Sequence, residues 1–158
     1  MLLQEYNDGR NDLPKLLIVG DGSLRSTLDT FIRKAGLSEK VTTLGWVNRE
    51  RFLRLLTSAS ALIVPSIWPE NAPLVALEAL SLGTPVVGSD RGGLPEITSN
   101  VSNELTFSWE RKDDLIRAIL YAMSCPGIRD KARNAYQRYY TPERYIASYM
   151  QLIHAFNP

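Results

Sequence analysis

The chain has 158 residues, enough for one domain of ordinary size with a substantial core. Its 44% apolar and 22% charged residues are typical of a soluble globular protein. The 18 basic and 17 acidic residues nearly balance, which gives no electrostatic reason to expect nucleic acid. The single cysteine, Cys125, excludes an internal disulfide, and neither a membrane-spanning apolar run nor a signal-peptide pattern occurs. We therefore expect a cytoplasmic protein that contacts neither nucleic acid nor membrane.

Short apolar runs alternate along the chain with stretches of helical spacing. The apolar runs predict strands over 15–19, 41–44, 61–64 and 85–88, and a weaker strand over 104–107. The stretches of helical spacing predict helices over 24–34, 48–58 and 73–82, and residues 1–8 resemble the end of another helix. From 113 to 156 the pattern is helical throughout.

Continuously apolar strands separated by helices predict an α/β fold whose parallel sheet is covered on both faces. We expect a doubly wound, Rossmann-like sheet followed by an all-helical tail, forming a single domain over residues 1–158. Because such a sheet normally opens with a strand, we expect the domain to be truncated at its N-terminus. Ligands of these folds bind at the carboxyl ends of the strands.

The last predicted helix carries an apolar stripe. Its members are Tyr145, Ile146, Tyr149, Leu152, Ile153 and Phe156. We expect this stripe to pack on the domain's own sheet, and the alternative is that it meets a partner outside this chain.

The helix predicted over 73–82 is apolar on almost every face but carries Glu78 in its middle. An all-round apolar helix is usually buried, and a buried carboxylate needs a partner. A second acid, Glu70, lies in the loop before this helix. Such a pair is typical of a site for a hydroxyl-rich ligand. The alternative is that Glu78 reaches the surface or pairs with an arginine.

Asn71 and Pro73 mark the start of the same helix, with Pro73 suited to the first helical position and Asn71 to a cap. A helix start at the strand-end crevice offers free backbone N–H groups and the positive end of the helix dipole to a phosphate. With Glu78 within reach of a ribose diol, the layout fits a nucleotide diphosphate joined to a sugar.

Two glycine motifs leave alternatives open. Gly20-Asp21-Gly22 follows a strand, but Arg25 stands at the third glycine position of a dinucleotide fingerprint, so the motif supports only a tight turn. Gly92-Gly93 either shapes the floor of the crevice or forms a simple turn. The sequence shows no His, Cys and acid cluster with metal-binding spacing, so we expect no metal.

Together these residues resemble the C-terminal, donor-binding domain of the retaining GT-B glycosyltransferases of the group 1, or family 4, type. The paired glutamates of that family, with seven residues between them, match Glu70 and Glu78. Further matching segments are 18–22, 44–47, 64–66, 68–74, 78–87 and 92–93. The first strand of the family's domain, with an arginine and a lysine for the phosphates, would lie before residue 1.

The resemblance implies a metal-independent transferase of polysaccharide or glycoconjugate biosynthesis that uses a UDP- or GDP-linked sugar and no cofactor. Glu70 would be catalytic, and Glu78 would bind the ribose. The other donor-binding residues would be Gly20, Gly22, Trp46, Val47, Ser66, Asn71, Ala72, Pro73 and Leu74. The missing acceptor domain would be N-terminal, so this chain alone should be inactive. The alternatives are an inactive binding or interaction module and another GT-B enzyme, such as a sugar-nucleotide epimerase.

Overall fold

The computed structural model describes residues 2–8, 10 and 12–156. It forms two compact units, one up to Phe52 and one from Leu53 onward, and each is described by itself below. Among the described residues, no helix is both long and apolar enough to cross a membrane.

The order of elements follows the sequence pattern closely. The strands are β1 (Leu16–Val19), β2 (Val41–Gly45), β3 (Leu62–Val64), β4 (Val86–Ser89) and β5 (Thr106–Phe107). The α-helices are α1 (Leu2–Asn7), α2 (Arg25–Lys34), α3 (Arg49–Ser58), α4 (Leu74–Ser81), α5 (Leu94–Ser99), α6 (Lys112–Ser124), α7 (Ile128–Ala135) and α8 (Pro142–Phe156). A 3-10 turn precedes β5, and a π-helical turn joins α7 to α8. The predicted α/β class and the all-helical tail are confirmed.

All strand pairs are parallel, as predicted, but they form two sheets. In the first unit β1 pairs with β2, with Leu16 opposite Val41. In the second unit the order is β3-β4-β5, with Leu62 opposite Val86 and Gly88 opposite Thr106.

The sequence predicts strands that are covered on both faces by helices. Among the described strands, β4 alone is buried along its whole length. It is the central strand of its sheet, and α4, α5 and α6 pack on that sheet. In β1, by contrast, Leu17 and Val19 are exposed, and because alternate residues of a strand share a face, it is one face of β1 that lacks cover. The expectation that every apolar strand is covered on both faces is therefore wrong for β1.

The terminal helix α8 does not pack on the sheet. Its described side chains, from Pro142 to Ala155, are all exposed, including Tyr145 at 71% and Leu152 at 58%. Helices α4, α5 and α6 pack on the sheet of the second unit, whereas α8 contacts the π-helical turn before it. The expected packing of α8 on the sheet is wrong. The side chain of Phe156, which belongs to the predicted stripe, lies outside the described residues.

Helix α7 anchors the C-terminal end of α3 through one arginine. The Arg129 guanidinium donates to the carbonyl oxygens of Ala59 (2.8 Å) and Thr57 (3.0 Å), which belong to the last turn of α3 and the residue after it. Buried Thr84 donates to the carbonyl of Leu56 at 2.6 Å in the same turn. The last carbonyls of a helix lack intrahelical donors, and a cation there also complements the helix dipole.

We expect Arg129→Ala to lower the free energy of unfolding by about 1 kcal/mol, because two carbonyls lose a charged donor. Urea denaturation of the purified chain measures the change. Lys131→Ala, an exposed position on the same helix, is the matched control and should change stability by less than about 0.5 kcal/mol. Equal effects of the two variants would contradict the capping role.

Candidate functional site

In the first unit, two predicted segments meet at the carboxyl edge of the sheet. The N–H of Gly20 donates to the carbonyl of Gly45 at 2.9 Å, which brings the turn after β1 beside the segment that begins with Trp46. Trp46 is 76% exposed, and Val47 is half-buried. An added Cβ would meet no atom within 4 Å at Gly20 or Gly22. At this edge the backbone of Gly20 and Gly22 has free space beside it, and the indole ring of Trp46 is exposed.

The turn after β1 is braced by an ion pair. Arg25 contacts the Asp21 carboxylate at 2.7 Å, and the Gly22 N–H donates to the same carboxylate at 2.8 Å. The Gly22 hydrogen bond and, after it, the Arg25 hydrogen bond hold the pKa of Asp21 below its ordinary value. The Arg25 guanidinium also lies against Gly45, where a Cβ would overlap it. Arg25, which replaces the third glycine of a dinucleotide fingerprint, thus packs on the neighbouring loop at Gly45.

In the second unit, the start of α4 differs by one residue from the prediction. Pro73 is the N-cap, with extended backbone, and Leu74 is the first helical residue. Asn71 does not cap the helix, because no side chain of the described residues bonds to its first amides. The physical reason is that Pro73 has extended backbone and occupies the N-cap position itself, so that Asn71 lies two positions before the cap. The side chain of Pro73 makes no capping hydrogen bond, and the N–H of Ala76 donates to the Pro73 carbonyl at 2.9 Å.

Helix α4 is buried on one side only. Ala76, Ala79 and Leu80 are fully buried, whereas Leu74 is 75% exposed. Glu78 lies between these sides and is half-buried. The prediction of an all-round buried helix is wrong, because apolar composition cannot show which faces a neighbour covers. Glu78 is therefore neither enclosed on all sides nor fully exposed.

Glu70 belongs to a loop held by two serines. The Ser66 hydroxyl donates to the Glu70 carboxylate, and the Ser89 hydroxyl donates to the Ser66 carbonyl at 2.6 Å. Ser89 is the fully buried last residue of β4. The predicted residues Ser66 and Glu70 are thus in direct contact. Ser89 was not among the predicted site residues, although its position at the carboxyl end of a strand was a signal for it.

The glycine pair Gly92-Gly93 packs directly on the loop of Glu70. The N–H of Gly93 donates to the Glu70 carbonyl at 2.7 Å. A Cβ on Gly93 would overlap the carbonyl oxygen of Asn71, and one on Gly92 would lie 2.6 Å from the Glu70 nitrogen. Of the two alternatives, the pair therefore does more than form a turn, because it fits the backbone of the loop that carries Glu70.

Beside this pair, Arg91 lies over the ring of Trp109, with its guanidinium carbon 5.1 Å from the ring centroid. Its buried Nε makes no hydrogen bond to the described residues but lies 3.7 Å from the Asp90 carboxylate, and one terminal nitrogen lies 3.9 Å from the Glu110 carboxylate. Sequence analysis did not single out Arg91 or Trp109. Within the part of the chain that the structure describes, no group of three or more His, Cys, Asp or Glu side chains could hold a metal ion.

One open groove of the first unit lies elsewhere. It has a volume of about 420 Å³ and is formed by α2, β2 and the segment that joins them. Asp29, Ile32 and Thr43 are among its lining residues, and none of the predicted site residues lines it.

The fold is that of an α/β protein in which several of the predicted site residues lie at the carboxyl ends of parallel strands. The family model described as glycosyl transferases group 1 matches residues 2–139. An uncharacterised glycosyltransferase of Methanocaldococcus jannaschii is 33% identical over 130 residues, which cover 79% of this chain and 33% of the relative. The chain belongs to the group 1 glycosyltransferase family.

Solved structures of glycosyltransferases share the fold. A sucrose-phosphate synthase from Thermosynechococcus elongatus superposes with a TM-score of 0.77 at 24% identity, over 98% of this chain and 41% of that chain. Anabaena HepE in complex with UDP and glucose gives 0.78 at 18% identity, over 98% of this chain and 44% of that chain. The expected GT-B architecture is confirmed. The chain spans a third or less of the length of the curated relatives it matches.

Proposed function

We propose that this chain is the donor-binding part of a retaining glycosyltransferase. It binds a nucleotide-diphosphate sugar, linked to UDP or GDP, and supports transfer of the sugar without a metal ion once it is joined to an N-terminal acceptor domain. The observation that carries the proposal is the second unit's arrangement of Glu70, the uncapped start of α4 and Glu78 along one loop and helix.

The start of α4 suits the diphosphate. Its first amides are uncapped by side chains within the described chain, and an eight-residue helix adds the positive end of its dipole. Negative charge grows on the diphosphate as the bond to the sugar breaks. Backbone donors that are already in place stabilise such developing charge without reorganising. We therefore assign the segment Asn71, Ala72, Pro73 and Leu74 to the diphosphate and the sugar hydroxyls.

The two glutamates are assigned to the two sugar rings of the ligand, Glu78 to the ribose and Glu70 to the transferred sugar. Glu78 lies one turn inside α4 and is half-buried, so its carboxylate can accept hydrogen bonds from the two ribose hydroxyls. Glu70 lies before the helix, toward the sugar, where a carboxylate opposes the positive charge that develops at the anomeric carbon. HepE, whose fold this chain shares, was solved with UDP and glucose, which supports a nucleotide sugar as the ligand class.

In the first unit, Gly20 and Gly22 leave backbone open to a ligand, and the exposed Trp46 with Val47 can frame a base. In the second unit, Ser66 acts on the ligand indirectly, because its hydroxyl donates a hydrogen bond to the Glu70 carboxylate. Calorimetric titration of the chain with UDP, GDP, ADP and their sugars tests the proposal. Absence of any nucleotide binding by a folded chain would contradict it.

We expect Glu78→Gln to weaken nucleotide binding by about 1–3 kcal/mol, the value of a charge-assisted hydrogen bond. Thermal stability should change little, because Glu78 is only half-buried. Calorimetry and thermal melting of one preparation measure both quantities. Glu96→Gln, an exposed helical glutamate of the same unit, is the control. A large drop in melting temperature with unchanged affinity would assign Glu78 to a structural ion pair.

We also expect the purified 158-residue chain to transfer no sugar and at most to hydrolyse the donor slowly. Transfer requires a cleft that closes around donor and acceptor, excludes water and fixes their geometry. Incubation with labelled nucleotide sugars and candidate acceptors, followed by product analysis, checks this. Robust transfer without an added protein would contradict the need for an acceptor domain.

A further inference from the structure

The loop that carries Glu70 has few bonds of its own. Within it, the N–H of Glu70 donates to the Trp68 carbonyl at 2.9 Å, and Ile67 and Trp68 are 65% and 78% exposed. A loop whose large side chains face solvent gains little rigidity from packing. Within the loop the Ser66 hydroxyl donates to the Glu70 carboxylate, so the orientation of that carboxylate depends on what holds Ser66 in place.

Ser89 supplies a contact to Ser66 from the buried central strand of the unit. It is the last residue of β4, is fully buried, and lies opposite Phe107 in the register with β5. Its hydroxyl donates to the Ser66 carbonyl at 2.6 Å. This bond fixes the backbone of Ser66, and the Ser66 hydroxyl in turn donates to the Glu70 carboxylate.

We propose that Ser89 is a positioning residue for Glu70. It ties Ser66 to the central strand, so that the Ser66 hydroxyl holds the Glu70 carboxylate in one orientation toward the sugar. The catalytic part of this inference rests on the proposed role of Glu70. The structural part, the ordering of the loop by Ser89, stands independently of that role.

The structural part is tested on the 158-residue chain by hydrogen exchange at the amides of Glu70 and Gly93, which both take part in the loop's hydrogen bonds. Ser89→Ala should speed exchange there about fivefold, the effect of losing one ordinary hydrogen bond. The matched control is Ser124→Ala, which removes an exposed hydroxyl-to-carbonyl bond of 2.8 Å on α6 and should leave these amides unchanged. Unchanged exchange in Ser89→Ala, or an equal rise in both variants, would overturn the inference.

The catalytic part is tested by a double-mutant cycle in a protein that joins this chain to an acceptor domain. Ser89→Ala and Ser66→Ala should each lower kcat about tenfold with little change in the donor KM, because small misplacements of a reacting group are costly. In a Glu70→Ala background, Ser89→Ala should change kcat less than about twofold, since it acts through Glu70.

The same cycle separates the two claims. An equal loss of kcat from Ser89→Ala with and without Glu70 would overturn the positioning role while leaving Glu70 in the site. If Glu70→Ala itself left kcat unchanged, the proposed role of Glu70 would fail. The exchange measurement would still decide whether Ser89 orders the loop.

Discussion

Gly93→Ala should destabilise the chain by about 3 kcal/mol, the upper part of the range for overpacking. A Cβ at this position would overlap the carbonyl oxygen of Asn71 and lie 2.9 Å from its carbon. Both are backbone atoms, so no flexible side chain can move aside. Either the helix start of α5 or the loop of Glu70 must shift, and the Gly93 to Glu70 hydrogen bond of 2.7 Å would be lost with it.

Urea denaturation of the purified chain measures this loss, and Gly22→Ala is the matched control. Gly22 has open space around its missing Cβ, so the same change of residue there introduces no clash. The control should be neutral or gain up to about 1 kcal/mol from a less flexible unfolded chain. Similar stability of the two variants would show that the Gly93 contact with the loop does not restrain the fold.

Such a contact could not be predicted from the sequence. The Gly92-Gly93 pair was recognisable as a flexible element, but its function depends on the backbone of Glu70 and Asn71, more than twenty positions earlier in the chain. Local propensity describes the residue itself and its near neighbours. A close approach of two backbones depends on the tertiary fold that brings them together.

The secondary structure could be predicted far better, because it depends mainly on neighbouring residues in the sequence. The spacing of apolar residues predicted β1 to β4 and helices α2 and α3 to within a residue or two. Burial was harder to predict. The apolar composition of α4 and the apolar stripe on α8 both suggested that these helices are buried against neighbouring elements. In the structure, each helix leaves large apolar side chains exposed to solvent. Periodicity identifies an apolar face but not its neighbour.

Glu70→Ala should lower turnover at least about 100-fold in a protein that joins this chain to an acceptor domain, the scale of losing one well-placed electrostatic group. Two hydrogen bonds hold Glu70 in place. The Ser66 hydroxyl donates to its carboxylate, and the Gly93 N–H donates to its backbone carbonyl. A carboxylate restrained at both its side chain and its backbone needs no reorganisation as charge develops on the sugar.

Affinity for the free nucleoside diphosphate should barely change in the same variant, since that ligand has no sugar for Glu70 to contact. Interactions that are stronger in the transition state than in the ground state alter the rate rather than the affinity. Steady-state kinetics and a nucleoside diphosphate titration on one preparation measure both, with Glu39→Ala, an exposed position of the first unit, as control. Near-normal turnover in Glu70→Ala would remove Glu70 from the site and leave Glu78 as the functional acid of the pair.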